Sequence, residues 1–417
     1  MLRSKIPLTF INYHAEDEKH VTGVLLFVLV LGFTTHTSTV HGTNWALQAV
    51  TLGVDSFSTD LFKKILKEKP QENVVCSPLS AHLVLSMATY GADGDTVEQM
   101  GKSLHLPRNF NVAYQGFQSL VSNLQSVPWV TLEEITNKMF VANNLDINPK
   151  YRNLMANMFK SEISAFDTQR PVESAELINQ WVENLTNNKI HDIVESDDIN
   201  SSSSLMLLSA VYLQGSWAEK FEKKATRNVP FYVNKEKQIL VPTMYMHSSF
   251  KTGRHRELDA RFLELPYENK ELKMVIILPN KIDGLSYIEQ NLDSLASSRF
   301  TRPDAYGKTP MDLLLPRFKI ETTIDLQQPL EELGMSSIFG NTANFSGIAQ
   351  APLRIGKVLQ KAFIEVNEEG IEAAGLDVEG YSVLPAFEVD HPFMYLIVKE
   401  SSQNERIVLF SGVVREP

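Results

Sequence analysis

The sequence predicts an α+β fold built as one large domain. Three observations predict it. Helical patterning dominates the first half of the chain, and runs rich in β-branched and aromatic residues dominate the second. From about Trp45 to Pro417 no long Pro/Gly/Ser linker, internal repeat or charge block separates the two. Helices first and strands later place helices on large sheets. Length alone suggests two or three domains, but 417 residues at 43% hydrophobic can also bury one large core, and the missing linker favours that.

In chain order, the first feature is the apolar block Val24-Leu25-Leu26-Phe27-Val28-Leu29-Val30-Leu31. Arg3, Lys5 and Lys19 precede it, and a polar, small-residue stretch from Thr34 to Gly42 follows. This is the layout of a secretory signal peptide, and the block is short for a bilayer span. Cleavage near Val40-His41-Gly42 fits the small-residue rule. It divides the chain into a signal peptide over 1–42 and a single domain over 43–417, secreted and free of the membrane afterwards. Glu16, Asp17 and Glu18 lengthen the leader, so a signal anchor is the alternative. Asn184, Asn200 and Asn344 head Asn-x-Ser/Thr sequons and are glycosylation candidates in an exported chain.

Ser77-Pro78 opens a helix with a cap and a first-turn proline. Its apolar positions Leu79, Leu83, Val84 and Met87 keep helical spacing, and Gly91 ends it. Thr96-x-x-Gln99 reads as a capping box for a second helix. Leu177, Ile178, Trp181, Val182 and Leu185 form another stripe, read as core, and Asn187-Asn188 stops it. Strands are expected over Leu272–Leu278, Leu313–Ile320, Lys361–Val366, Phe393–Val398 and Ile407–Phe410. Ser201–Ser204 is a polar loop.

Composition and motifs exclude more chemistry than they suggest. The net charge of -11 and the pI of about 5.5 argue against nonspecific nucleic-acid or anionic-lipid binding. The one cysteine, Cys76, sits in an apolar run with no base beside it and reads as a buried hydrophobe. Met100-Gly101-Lys102-Ser103 resembles the end of a phosphate loop, but the earlier glycine that loop needs falls at Thr96. No His-Glu-x-x-His or paired-His metal spacing and no Gly-x-Ser-x-Gly elbow occurs. No catalytic residue, metal site or cofactor is expected.

Several blocks nevertheless resemble one family in order. Asn73-Val-Val-Cys-Ser77-Pro78-Leu-Ser80, Tyr90-Gly91-Ala92 and Thr96-Val-Glu-Gln-Met100 come first. Ile178-Asn179-x-Trp181-Val182, Thr186-Asn187-x-Lys189-Ile190, Gln214-Gly215-Ser-Trp217 and Leu265-Pro266-Tyr267 follow, then Met274–Pro279, Leu315-Pro316-Arg-Phe318, Asp325-Leu326 and Leu333-Gly334. Phe345-Ser346-Gly347, His391-Pro392-Phe393 and Phe410-Ser-Gly412 close the series. Together they resemble the serpins. The resemblance implies a serpin fold of three β-sheets and about nine helices, with an exposed reactive-centre loop between Gly370 and Pro392. It also implies a suicide-substrate protease inhibitor and no enzyme: a protease cuts the loop, and the cut loop enters the central sheet as a new strand.

The hinge of that loop reads Glu368-Glu369-Gly370-Ile371-Glu372-Ala373-Ala374-Gly375, close to the family pattern of acid, any residue, Gly and then small residues. Ile371 departs from the usual Thr or Ser. Strand alternation puts Ile371, Ala373, Gly375, Asp377 and Glu379 on one face, which the inserted family loop buries. Two carboxylates there are costly. Counting from the hinge gives Leu384-Pro385 as the attacked bond, whereas counting back from Pro392 gives Tyr381-Ser382, the preferred choice. The partner implied is a serine protease, chymotrypsin-like if Tyr381 is attacked, acting on a monomer. A non-inhibitory binding, carrier or storage serpin is the alternative, favoured by Asp377, Glu379, Ile371 and Pro385. A polar cluster beneath the sheet opening is expected from Asn73, Ser77, Ser80, Ser209 and Gln360, with Ser209 and Gln360 standing where the family has Asn and His. Gln both donates and accepts, so a rewired Gln360–Ser209 contact is feasible.

Overall fold

The computed structural model describes residues 34–125, 135–199, 204–213, 215–268, 270–296, 307–368, 385–400 and 406–417. Contacts set Met1–Thr43 apart from the compact unit Asn44–Pro417, to which the fold belongs. The apolar block of the expected leader lies outside the described residues, and the stretch from Thr34 has helical backbone.

The first helix, α1 (Thr34–Glu68), buries Val50, Val54, Phe57, Leu61 and Ile65 at helical spacing and leaves Trp45 and Leu52 exposed. After β1 (Val74–Cys76), α2 (Pro78–Thr89) starts where Ser77 caps it, and every residue of it is buried. Helix α3 (Gly94–Ser103) starts earlier than the expected Thr96 cap. Asp93 caps it, its carboxylate accepting from the Gly94 N–H, and Gly94 takes a φ of +57° that favours glycine. Thr96 is buried inside the helix, its hydroxyl accepting from Asn344 N.

Next come α4 (Phe110–Gln125), β2 (Ile135–Ala142), α5 (Pro149–Met158), β3 (Ile163–Phe166) and α6 (Pro171–Leu185). The buried side of α6 is Ser174, Ala175, Ile178 and Val182. Leu177, expected in the core, is 67% exposed, because one residue is about 100° round a helix from the next and the stripe centres on Ile178. Trp181 is half-buried, with Lys138 Nζ 4.6 Å over its ring. Asn187 and Asn188 both take left-handed φ after the helix, as a stop there requires.

The strand-rich half contains β4 (Leu205–Leu213), β5 (Arg227–Tyr232), β6 (Gln238–His255), β7 (Ala260–Pro266), β8 (Leu272–Pro279), α7 (Leu285–Gln290), α8 (Asp293–Ala296) and β9 (Lys308–Pro316). It closes with β10 (Phe318–Asp325), α9 (Gln327–Glu332), β11 (Ile355–Val366), β12 (Ala386–Glu388), β13 (Phe393–Glu400) and β14 (Arg406–Val414). The run Leu313–Ile320, expected as one strand, is two. Pro316 ends β9, Arg317 N donates to Pro242 O, and β10 continues in a different sheet.

The central sheet has the order β10-β11-β4-β2-β3. The other strands form a nine-stranded network hinged on the long β6. Its first part pairs β5 and β9, and its last residues pair β7. The strands therefore make three sheets, two of them joined through β6, with nine α-helices among the described residues. One core lies between the helices α1 and α2 and the sheets, and a second lies between α6 and the front of β2, β4 and β11. No helix among the described residues is long and apolar enough to cross a membrane.

Candidate functional site

Four of the five central strands set up an unusual junction. β10 runs antiparallel to β11, and β2 antiparallel to β4, but β11 and β4 meet in parallel. Their register is continuous from Lys357–Met206 to Ile364–Leu213. A chain that leaves the end of β11 and reverses direction is antiparallel to both strands, and antiparallel ladders are the slightly stronger kind. The seam is nine registered residue pairs long, and a strand placed between its two sides in the reverse direction would be antiparallel to both.

A buried polar latch lies behind the seam. Gln360 of β11 and Ser209 of β4 are register partners, and Gln360 Nε2 donates to Ser209 Oγ at 3.1 Å. The same Nε2 donates to Ser77 O, and Gln360 Oε1 accepts from Ser77 N, both at 2.8 Å. Ser209 Oγ donates to Ser80 Oγ at 2.8 Å, which donates to Asn137 Oδ1 of β2 at 2.7 Å. Ser77 Oγ donates to Leu409 O at 2.6 Å. One hydrogen-bonded chain therefore ties three neighbouring strands to the first turn of α2. Removing the Gln360 amide strands the buried Ser77 N–H, at about 1–3 kcal/mol, whereas Ser77 O keeps the Ala81 N–H as a donor. Gln360→Leu is expected to destabilise the uncut protein by roughly 2 kcal/mol, read as a lower urea midpoint at unchanged slope.

A second tether holds the chain where it leaves β11. Glu368 is 3% exposed and accepts from Arg317 Nε at 2.7 Å, from Arg317 Nη2 and from Thr226 Oγ1. Burial pulls its carboxyl upward, but the Arg317 and Thr226 hydrogen bonds outweigh this and hold it below the usual carboxylate range. Beside it, Trp217 Nε1 donates to Asn367 O at 2.9 Å and stacks on Tyr267 at 4.5 Å. A side chain at Gly215 would strike that Tyr267 ring at 2.5 Å.

The chain re-enters the described structure at Pro385, whose carbonyl accepts from Asp312 N. β12 then pairs with β9 in parallel, and His247 Nδ1 lies 2.7 Å from Asp312 Oδ1 beside this return. Both ends of the segment 369–384 are therefore fixed on the body of the molecule.

Of the expected site residues, the structure brings together Ser77, Ser80, Ser209 and Gln360. Asn73 is not among them. Its Oδ1 accepts from Arg415 N and Glu416 N, and its Nδ2 donates to Glu416 O, so it clips the C-terminal tail. Asn137 occupies the place in the chain expected for Asn73, and neither Asn137, Arg317 nor Thr226 was expected in the site, because their partners are distant in sequence. Gly370, Ile371, Ala373, Ala374, Gly375, Tyr381, Ser382 and Leu384 lie outside the described residues, as does Asn200. Asn184 and Asn344 are exposed. Cys76 is fully buried, and burial pushes its thiol up, away from reactivity. Among the described residues no group of three or more His, Cys, Asp or Glu is placed to hold a metal ion.

Comparison with known proteins supplies the context for this geometry. A family model described as Serpin (serine protease inhibitor) matches residues 53–417. The chain is 36% identical to a leukocyte elastase inhibitor of Bos taurus over 372 residues, covering 87% of this chain and 97% of that one. It is 34% identical to the alaserpin of Manduca sexta, covering 87% and 93%. In structure it is similar to Serpin48 of the insect Tenebrio molitor, a highly specific serpin, with a TM-score of 0.79 at 30% identity over 89% of this chain and 98% of that chain.

Proposed function

The chain belongs to the serpin family, whose members similar to it include named protease inhibitors, and from that premise we propose that it is an extracellular suicide inhibitor of serine-type endopeptidases. The observation that carries this reading is the parallel β4–β11 junction. It is a closed slot next to a chain end that, on reversing, has the right direction to fill it.

The segment after Glu368 is the bait. The protease serine oxygen attacks a loop carbonyl carbon, the peptide C–N bond breaks, the new amine leaves, and the enzyme stays attached through an ester. The freed hinge then peels from Glu368 onward into the seam, gaining ladder hydrogen bonds on both sides and carrying the enzyme with it. Until the cut, Gln360, Ser209 and Glu368 hold the seam shut, so the uncut fold is kept by a kinetic barrier. Small residues at Ala373, Ala374 and Gly375 ease entry. The bond assigned is Tyr381-Ser382, which suits a chymotrypsin-like enzyme. Residues 1–42 serve as a signal peptide, checked by sequencing the N-terminus of protein recovered from culture medium.

The second reading, a non-inhibitory carrier or storage serpin, is favoured by Asp377 and Glu379 on the face that insertion buries. Mixing the purified protein with chymotrypsin-, elastase- and trypsin-like proteases separates the two. The inhibitor reading predicts an SDS-stable covalent complex. Loop cleavage with fully active protease in every mixture supports the carrier.

A further inference from the structure

His82 is a histidine with no part in the latch, yet it stands on the helix that carries it. It is completely buried in α2, between the Phe57 ring of α1 at 5.4 Å and the Phe117 ring of α4 at 5.9 Å. Its Nε2 lies 2.9 Å from Leu104 O, which only accepts, so Nε2 carries the proton. Its Nδ1 lies 3.3 Å from the buried Ser86 hydroxyl and accepts from it. The site is built for the neutral ring.

We propose that His82 is an acid trigger for the central sheet: its protonation displaces α2 and thereby loosens the Ser77–Ser80–Gln360–Ser209 latch. The physical link is the rigidity of a wholly buried helix. All of α2 from Pro78 to Thr89 is packed, and dense interiors shift as bodies in preference to deforming locally. An imidazolium between two aromatic rings needs water or a counter-charge, and Ser86 then loses its acceptor.

Among the described neighbours, α4 contributes no acidic or basic side chain. After α3, His105 adds a positive charge that opposes a second one at His82, and Asp60 of α1 stands 3.5 Å from that imidazole. Burial holds the His82 ring down to about 4 against the lift from Leu104 O, and His105 adds the smallest push in the direction of burial. A folded-state value below the unfolded one means the contribution to stability is whole above about pH 6.5 and drains away as pH falls toward 4. The trigger therefore acts in acid.

The trigger rests on the proposed insertion, and its test separates the two. The uncut protein is incubated with a synthetic peptide copying residues 370–381, and the rate at which the peptide is incorporated is followed from about pH 7.5 to about pH 4.5. The protonated fraction of such a ring grows about tenfold per pH unit above its midpoint, so the wild-type rate is expected to climb about tenfold or more across the last units. His82→Gln keeps a donor for Leu104 O but takes no charge, and its rate is expected to stay flat. His105→Asn, at an exposed left-handed position that Asn tolerates, removes the opposing charge and moves the rise to higher pH. Parallel wild-type and His82→Gln profiles overturn the trigger, as does a rise that His105→Asn leaves in place. Failure of the peptide to enter at any pH overturns the insertion reading itself.

Discussion

Glu368→Lys is expected to lower the stability of the uncut protein by about 3 kcal/mol, the low end for a broken buried ion pair, and to produce multimers on gel filtration. The carboxylate sits 3% exposed against Arg317 and Thr226, and Arg317 itself is 42% exposed, which keeps the loss at that low end. A lysine there puts two cations together and leaves Thr226 without its acceptor. With the top of β11 released, the parallel seam opens to the loop of a second copy, which enters as an added strand. Glu368→Gln keeps the acceptor oxygen and is expected to lose less and stay monomeric. A Glu368→Lys protein that melts and elutes like the parent contradicts the tether.

The second large effect is expected at Ala373→Glu. On the proposed insertion, residue 373 shares its buried face with Asp377 and Glu379 but enters ahead of them, so an unpaired carboxylate there, costing several kcal/mol, opposes entry at its first step. Even ~3 kcal/mol added to the insertion barrier slows it more than a hundredfold. Deacylation then wins, and the inhibitor turns into a substrate: cleavage at the loop continues while covalent complex on SDS gels falls below a hundredth of the parent's. Glu372→Ala, on the opposite face, serves as the control and is expected to trap protease normally. Equal trapping by Ala373→Glu and the parent contradicts insertion on this face.

Local signals carried the parts of the fold that were legible. The Ser77-Pro78 cap, the left-handed Asn187-Asn188 stop and the β-rich runs each act within a few residues. What tertiary packing decides was not legible. Leu177 faces solvent because Ile178 and Val182 meet the sheet front. Asp93 displaced Thr96 as a cap because Thr96 is claimed by Asn344. Arg317 breaks an apparently continuous strand because its neighbours join different sheets. The stripe Val50, Val54, Phe57, Leu61 and Ile65 of α1 is a local signal of the same kind, five buried residues at helical spacing. In the site, the family pattern led to Ser77, Ser80, Ser209 and Gln360, while Asn137 and Thr226 carry no local signature. They matter only through partners on other strands.

Heat and urea denaturation of the protein before and after a single cut in the segment 369–384 tests the central claim most directly. Filling the β4–β11 slot adds a strand hydrogen-bonded on both sides, at about 1 kcal/mol per bond, so the cut protein should melt more than 20 °C higher, an increment of several times the roughly 2–4 °C that ~1 kcal/mol shifts a large domain. A cut protein that unfolds at the same temperature and urea concentration as the intact one would mean that the slot stays empty.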